Sequence, residues 1–230
     1  VVKADFCFKK KITPASFFAL GYNYSVPLDK WNISDMAADY VFVGEHDIDF
    51  EVPGTLGIIY NYKKWKKHRK GYPCLTVKEY LSEKTKSNKM NMICACFSDL
   101  SQDLKDKLKL DKTAVLLIDT HNNNGIAEQR RFFIELINNN IKTPVIIGRS
   151  YENLSEQHLQ LSSSADIGTL LLDGLGDGIF IYAPDCASDQ IINNLSFGIL
   201  QATRTRISKT EYISCPSCAI GSAGSANLVN

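Results

Sequence analysis

The sequence has no long apolar run, no excess of charge of either sign and no even, regular set of cysteines. Its 230 residues carry 26 Lys and Arg against 25 Asp and Glu, a net charge of +1. No run approaches the roughly 18 apolar residues of a membrane-spanning helix. The N-terminus, VVKADFCFKKKITPAS, contains neither an apolar signal core nor an initiating Met. These absences predict no membrane association, no secretory leader and no dedicated nucleic-acid binding, and they suggest an excised or processed piece.

The cysteines fall into two groups. There are seven, an odd number at scattered positions, which does not suit a secreted disulfide framework. Cys94 and Cys96 lie in the strand-like run MICACF and are predicted to be core thiols. Cys215 and Cys218 instead form C-P-S-C, a spacing at which two thiolates can hold one soft metal centre. Since no second C-x-x-C or neighbouring His is present, the spacing alone indicates half of a metal site.

What is present is ordinary globular composition, 44% hydrophobic and 22% charged, in which short apolar runs alternate with helical patterns. This alternation predicts parallel βαβ units and an α/β fold. The number of strands favours a (β/α)8 TIM-barrel-like domain, complete or degenerate, over an open doubly wound sheet. The predicted strands are 17–22, 39–44, 55–62, 92–97, 114–119, 143–149, 169–174 and 178–183, and the predicted helices are 77–84, 100–110, 126–139 and 189–204.

Polar residues that follow predicted strands are the candidates for chemistry. The segment 44–51, GEHDIDFE, could bind a hard cation or supply an acid–base pair, and it could equally be a solvated acidic loop. Asp119 and His121 follow another strand, where Asp119 could orient His121 or cap the next helix. Arg149 ends a third strand, where it could meet a phosphate. The basic run 63–70 is more typical of a solvated loop than of a nucleic-acid site.

The C-terminal segment 170–218 contains the turn DGLGDG, the helix SFGILQATR and the approach TEYISCPSC to the thiolates. Through these motifs the segment resembles 4-hydroxy-3-methylbut-2-enyl diphosphate synthases. Residues 1–169 are similar to the large insert domain of the long, plastid-type form of that family. The resemblance divides the chain into a barrel-like insert domain (1–205), the start of an iron–sulfur domain (206–218) and a flexible Gly/Ser/Ala tail or cloning remnant (219–230).

The resemblance implies an iron–sulfur oxidoreductase of the methylerythritol phosphate (MEP) route to isoprenoids. Such a parent enzyme reductively opens 2-C-methyl-D-erythritol 2,4-cyclodiphosphate with a [4Fe-4S] cluster and electrons from ferredoxin. A homodimer in a plastid or relict plastid (apicoplast) is the implied setting. Cys215 and Cys218 match two of the cluster ligands, which in the family are three Cys and one Glu. Because Ala219 replaces the family's Gly-Arg-Thr continuation, the truncated chain is expected not to bind the cluster.

The resemblance assigns no catalytic residue to this chain, and the insert is expected to be a structural module that is inactive alone. Two other hypotheses remain open from the residues themselves. One is a self-contained TIM-barrel enzyme that acts on a small phosphorylated substrate through strand-end groups. Its weaker candidate site residues are Asp119, His121 and Arg149. The other is a non-catalytic scaffold domain.

Overall fold

A computed structural model describes the backbone of residues 2–5, together with residues 11–120, 122 and 124–210. It is an α/β structure built on parallel strands. The strands are β1 (Val2–Asp5), β2 (Tyr22–Ser25), β3 (Lys30–Ile33), β4 (Tyr40–Gly44), β5 (Gly57–Asn61), β6 (Tyr72–Thr76), β7 (Asn91–Ala95), β8 (Ala114–Ile118), β9 (Val145–Ser150) and β10 (Gly178–Tyr182).

Seven of these strands, β4 to β10, form one curled sheet in which every described neighbour is parallel. The backbone of β1 pairs with both edges of this sheet, with Val2 opposite Ile179 in β10 and Lys3 opposite Tyr40 in β4. Parallel strands with helical crossovers and this curvature are compatible with the predicted TIM-barrel-like fold. The carboxyl ends of the strands therefore meet at one mouth.

Helices follow most of the strands and cover the convex face of the sheet. They are α1 (Tyr62–His68), α2 (Val77–Ser82), α3 (Gln102–Leu110), α4 (Gly125–Asn138), α5 (Glu156–Ser163), α6 (Thr169–Leu172) and α7 (Asp189–Ala202). One π-helical turn, Ser164–Gly168, joins α5 to α6. The last helix begins after an N-cap residue, Ser188, whose hydroxyl accepts a hydrogen bond from the Ile191 N–H. The β2–β3 hairpin stands apart from the main sheet.

Alternation along the strands divides the core into two layers. The inner layer fills the concave side of the sheet with Ile59, Met92, Leu117, Ile146 and Phe180, all buried. The outer and larger layer lies between the sheet and the helices, and it includes fully buried aromatic rings such as Phe132 and Phe197. The sheet is thus covered on both faces, which explains the nearly continuous apolar runs of its strands.

Two predicted strands were wrong, one strand was missed, and the basic run 63–70, interpreted as a solvated loop, mostly forms α1. Residues 17–22 are not one strand, because a 3₁₀ helix, Pro14–Leu20, ends at Gly21 in the left-handed conformation before β2 begins. Residues 169–174 form α6 and its C-terminal turn, with Leu170 buried and Leu172 exposed. A short apolar run does not distinguish a buried strand from a helix. Strand β6 was missed because its sequence, YPCLT, contains a proline.

Candidate functional site

Polar side chains from β9 and the π-helical turn form a buried cluster at the carboxyl mouth. Arg149 comes from the end of β9, Tyr151 follows it, and Asp166 lies in the turn between α5 and α6. The Arg149 guanidinium donates through Nε (3.0 Å) and Nη2 (2.7 Å) to Asp166 Oδ2. The Tyr151 hydroxyl donates to the same oxygen at 2.9 Å. Only 9% of Arg149 is exposed, so this cluster is largely removed from water.

In this cluster the positive charge of Arg149 is compensated by the negative charge of Asp166. Burial raises the pKa of Tyr151, and the adjacent Asp166 carboxylate raises it further, so the phenol remains a hydrogen-bond donor at neutral pH. Burial lowers the pKa of Arg149, but its contacts with Tyr151 and Asp166 outweigh that effect and raise the pKa overall. Because the guanidinium charge is already paired with a carboxylate, Arg149 has little capacity to act as the phosphate-binding cation that its position suggested.

The start of α4 lies directly against this cluster. A Cβ atom at Gly125 would be only 1.7 Å from the nearest guanidinium nitrogen of Arg149, so a side chain there would force the guanidinium to move. One turn later, Gln129 is 2% exposed and donates through Nε2 to the Gly148 carbonyl at 2.7 Å. Its Oε1 atom has no hydrogen-bond partner in the described part of the chain. Neither residue was singled out from the sequence, where a lone Gly or Gln at a helix start has many ordinary explanations.

Asp119 also lies at this mouth, just after β8. It is half-buried, accepts the Thr120 N–H at 2.8 Å and lies 3.5 Å from the Ser150 hydroxyl. The predicted partner of Asp119, His121, lies outside the described residues. The structure therefore brings Asp119 next to β9, and the proposed Asp119–His121 pairing stays a prediction.

The acidic segment 44–51 follows β4 at the same mouth. Its Asp47 is mostly exposed and pairs with Lys64 Nζ at 2.6 Å. A hydrogen bond from Lys64 lowers the pKa of Asp47. Across the described residues, no three His, Cys, Asp or Glu side chains are arranged to hold a metal ion. A solvated, ion-paired loop is the interpretation that these contacts favour.

The structure describes some of the cysteines and leaves others outside the described residues. Cys215 and Cys218 lie outside the described residues, so their predicted role as metal ligands stays a prediction. Cys94 lies in β7 beside the inner core layer, and its sulfur is 3.2 Å from that of Cys74 in β6. Cys96 follows the strand and donates its S–H to Asp99 at 3.0 Å.

The fold and the site define a barrel-like α/β domain. Its buried arginine at the end of β9, Arg149, is paired with the carboxylate of Asp166. Comparison with curated proteins then gives the family resemblance. Over 180 residues the chain is 39% identical to a protein of Parabacteroides distasonis named 4-hydroxy-3-methylbut-2-en-1-yl diphosphate synthase (flavodoxin). It is 42% identical over 120 residues to the protein of that name from Porphyromonas gingivalis. It is 40% identical over 90 residues to a rice protein named 4-hydroxy-3-methylbut-2-en-1-yl diphosphate synthase (ferredoxin), chloroplastic.

These matches confirm the resemblance to this synthase family, including a plastid-type form. They cover 78%, 52% and 39% of the chain, but only 29%, 20% and 12% of the respective relatives. The chain thus corresponds to a minor part of each relative's length. No family model matches the chain, and no solved structure matches it. Among the described helices, none is both long and apolar enough to cross a membrane.

Proposed function

We propose that this chain is the barrel-like insert domain of a 4-hydroxy-3-methylbut-2-enyl diphosphate synthase of the MEP pathway. The observation that carries the proposal is the similarity of 78% of the chain to less than a third of a curated synthase. The parent is then an oxidoreductase that reductively opens 2-C-methyl-D-erythritol 2,4-cyclodiphosphate. A chain that matches a minor segment of such an enzyme is a module of it.

The insert forms an eight-stranded (β/α)8 TIM-barrel-like domain in this proposal. Support comes from the pairing of β1 with both β4 and β10, which joins the two edges of the curled sheet. The domain is degenerate between β1 and β5, where the β2–β3 hairpin replaces a regular crossover helix. The proposed boundaries are residues 1–205 for the insert and 206–218 for the start of the iron–sulfur domain. Residues 211–230, and with them the predicted tail or cloning remnant 219–230, lie outside the described residues.

The insert supports the parent without supplying a catalytic residue. The internal pairing of Arg149 with Asp166 favours this role over that of a self-contained phosphate-binding enzyme, because the buried cation at the mouth is already neutralised. Polar groups that satisfy one another hold loops in place, and they are poor ligands for an incoming substrate.

Cys215 and Cys218 would contribute two thiolates to the [4Fe-4S] cluster of the parent. The cluster supplies the electrons for ring opening when it is bound. Such clusters take four protein ligands, and Cys215 and Cys218 are the two that the family resemblance matches in this sequence. No step is therefore assigned to the cluster in this chain.

The electron donor of the parent is a small redox protein, ferredoxin in the plastid-type form. Relatives named for flavodoxin and for ferredoxin support this class of partner. The parent further takes the small cyclic diphosphate as substrate, forms a homodimer and works in a plastid or apicoplast. The chloroplastic relative supports the compartment.

A chimeric enzyme tests the proposal. The matched 180-residue segment of the Parabacteroides synthase is replaced by the corresponding segment of this chain, and ring opening is assayed with reduced flavodoxin. We expect a folded enzyme that retains its iron content and at least a tenth of the parental kcat. A matched chimera carrying Asp119→Asn, with Arg149→Met and Asp166→Leu together so that no buried charge is left unpaired, keeps that activity if the insert is structural.

Two outcomes contradict the proposal. One is a folded chimera with full iron content but no turnover. The other is turnover of a phosphorylated substrate by the isolated chain that disappears with Asp119→Asn, which would instead support the self-contained enzyme. Anaerobic reconstitution of the isolated chain with iron and sulfide provides a separate check, because a stoichiometric [4Fe-4S] spectrum would show that the two thiolates suffice.

A further inference from the structure

The amino end of the barrel carries a cavity with an excess of positive charge. This cavity, of about 1090 Å³, lies where β4, β5 and β6 begin, at the end opposite the carboxyl mouth. Its charged lining residues in the described part of the chain are four cations, Arg69, Lys70, Lys86 and Lys89, and one carboxylate, Asp39. We propose that the four cations, here called the basic face, dock the acidic surface of the small redox protein that reduces the parent enzyme.

The positive charge of the basic face is not neutralised within the fold. Arg69, Lys70 and Lys89 are exposed, and none of them forms an ion pair with a described residue. The carboxylate of Asp39 is already paired with Arg206. Since the whole chain has a net charge of only +1, this excess is local, and it creates a positive potential at one end of the barrel.

Lys86 adds a further positive charge beside these three. It is half-buried, and burial together with the nearby Lys107 ammonium lowers its pKa, while the Asp111 carboxylate acts in the opposite direction. Lys107 donates to the backbone carbonyls of Tyr80 and Leu81, which carry no net charge. An acidic partner would therefore stabilise the charged form of both lysines.

Local packing holds the basic face in place before a partner binds. The Arg69 guanidinium carbon lies 4.8 Å from the centre of the Trp65 ring, which is itself buried. On the neighbouring loop, the buried Asn91 side chain accepts the Ser87 N–H at 2.9 Å and donates to the Ser87 carbonyl at 2.8 Å. These bonds fix the loop that carries Lys89. A surface arranged in advance loses less conformational freedom on binding.

The basic face lies beside the segment that leads toward the proposed cluster ligands. Arg206 pairs with Asp39 of the cavity, and the Lys209 carbonyl accepts a hydrogen bond from Gln201 at the end of α7. Cys215 follows Lys209 by six residues, over which an extended chain spans at most about 22 Å. A redox protein on the basic face would therefore dock on the side of the insert from which the iron–sulfur domain of the parent continues.

A protein fits this surface better than a nucleic acid does. Apolar side chains of Ile48, Phe50 and Val52 line the cavity beside the cations, and an apolar centre with a polar rim is the usual anatomy of a protein interface. Binding of single-stranded nucleic acid needs aromatic rings on which bases can stack. The rings of Tyr40 and Tyr72 instead pack edge to face on each other and against the inner core layer.

The class of partner follows from the parent. Relatives are named for flavodoxin and for ferredoxin, small redox proteins of the kind that bind through weak, charge-steered contacts. The inference rests on the proposed function, because the parent is what requires an electron donor.

Calorimetric titration of the full chain with a purified acidic flavodoxin tests the docking surface. We expect one flavodoxin per chain. Affinity should fall at least fivefold between about 10 mM and about 100 mM salt, as the Debye length shrinks from about 30 Å to about 10 Å. Lys70→Glu with Lys89→Glu should weaken binding at least tenfold. The matched control, Lys63→Glu with Lys78→Glu, makes the same charge change on exposed lysines at the starts of α1 and α2, at the opposite end of the barrel, and should change binding less than twofold.

Three results overturn the docking inference. They are no binding of flavodoxin to the unmodified chain, equal weakening by the matched control, and tighter binding of a 12-nucleotide single-stranded RNA that Lys70→Glu with Lys89→Glu abolishes. The synthase proposal is tested apart from them when the chimera is driven by reduced methyl viologen, which needs no protein donor. Absence of turnover there contradicts the synthase proposal, whereas turnover there without flavodoxin binding to the full chain contradicts the docking inference alone.

Discussion

Arg149 illustrates at the scale of one residue how a plausible ligand-binding group becomes a structural one. Its place at a strand end suggested phosphate recognition, yet two of its guanidinium nitrogens are bound to Asp166. A buried ion pair of this kind contributes little net stability, but removing one partner is costly because the other charge stays buried and unpaired. The sequence showed the arginine and not its partner, since the two are 17 residues apart in different elements.

We predict that Asp166→Asn lowers the free energy of unfolding by about 3 kcal/mol or more, because it leaves the Arg149 charge uncompensated. Urea denaturation measures this loss. The double variant Arg149→Met with Asp166→Leu should cost less than Asp166→Asn alone, since no buried charge remains. The control Glu83→Gln weakens a half-exposed pair with Lys66 and should cost less than about 1 kcal/mol. Equal costs for Asp166→Asn and Glu83→Gln would refute the interpretation.

A second residue-scale feature is the hydrogen bond from Tyr80 in α2 to the carboxylate of Asp111 after α3. The hydroxyl lies 2.8 Å from Oδ2, and the Tyr80 side chain is fully buried. Burial raises the pKa of Asp111, but hydrogen bonds from Thr113 and Tyr80 outweigh that effect and lower the pKa below its ordinary value. The ionised carboxylate is therefore favoured in the folded chain.

We expect Tyr80→Phe to cost about 1–2 kcal/mol of stability at pH 7. Since the folded pKa of Asp111 lies below its unfolded value of about 3.9, its stabilisation is complete above that pH and is lost as the pH falls through the folded pKa. The cost of Tyr80→Phe should therefore be constant above about pH 4 and shrink as the pH falls below it, measured by urea unfolding. Tyr60→Phe removes a buried hydroxyl that makes no hydrogen bond to a carboxylate in the described part of the chain, and it should show no such pH dependence.

At the scale of elements, the start of α4 depends on a glycine and the middle of α7 does not. A Cβ atom at Gly125 would collide with the buried Arg149 guanidinium, whereas a Cβ atom at Gly198 would meet nothing within 4 Å. Helix propensity favours Ala over Gly by about 1 kcal/mol at an interior position such as Gly198. Of these two glycines, Gly125 is the one at which side-chain packing opposes helix propensity.

Gly125→Ala should lower the unfolding free energy by about 1–3 kcal/mol because Arg149 must move from its partner. Gly198→Ala should leave it unchanged or raise it by up to about 1 kcal/mol. Thermal or urea unfolding of the two variants measures the difference, and their shared substitution removes any effect of residue type. Stabilisation by both changes would mean that α4 and Arg149 are not packed as described.

At the scale of the whole molecule, long-range polar contacts tie the segment after α7 to the domain. Arg206 Nη1 is 2.5 Å from Asp39 Oδ2, a pair that joins residues 167 positions apart. Gln201 accepts the N–H groups of Ser208 and Lys209 through Oε1 and donates to the Lys209 carbonyl. Residues 206–209, assigned from the sequence to the next domain, therefore pack on the barrel.

Gln201→Ala should release this segment. We expect trypsin to cut after Lys209 at least several-fold faster, with a loss of about 1–2 kcal/mol in global stability. The control Gln160→Ala changes an exposed glutamine of α5, and it should alter neither quantity. Unchanged cleavage in a folded Gln201→Ala protein would mean that these hydrogen bonds do not hold the segment.

The sequence by itself determined the fold class, six of its strands, four of its helices and the family resemblance, because apolar periodicity and the motifs of 170–218 are local properties. It did not determine that residues 17–20 and 169–172 are helical, since runs this short fit either structure and only tertiary contacts decide between them. Tertiary structure alone brought Arg149 to Asp166, Gly125 under that cation, and Cys74 to Cys94. These contacts join residues distant in sequence, and the curvature and register of the sheet bring them together.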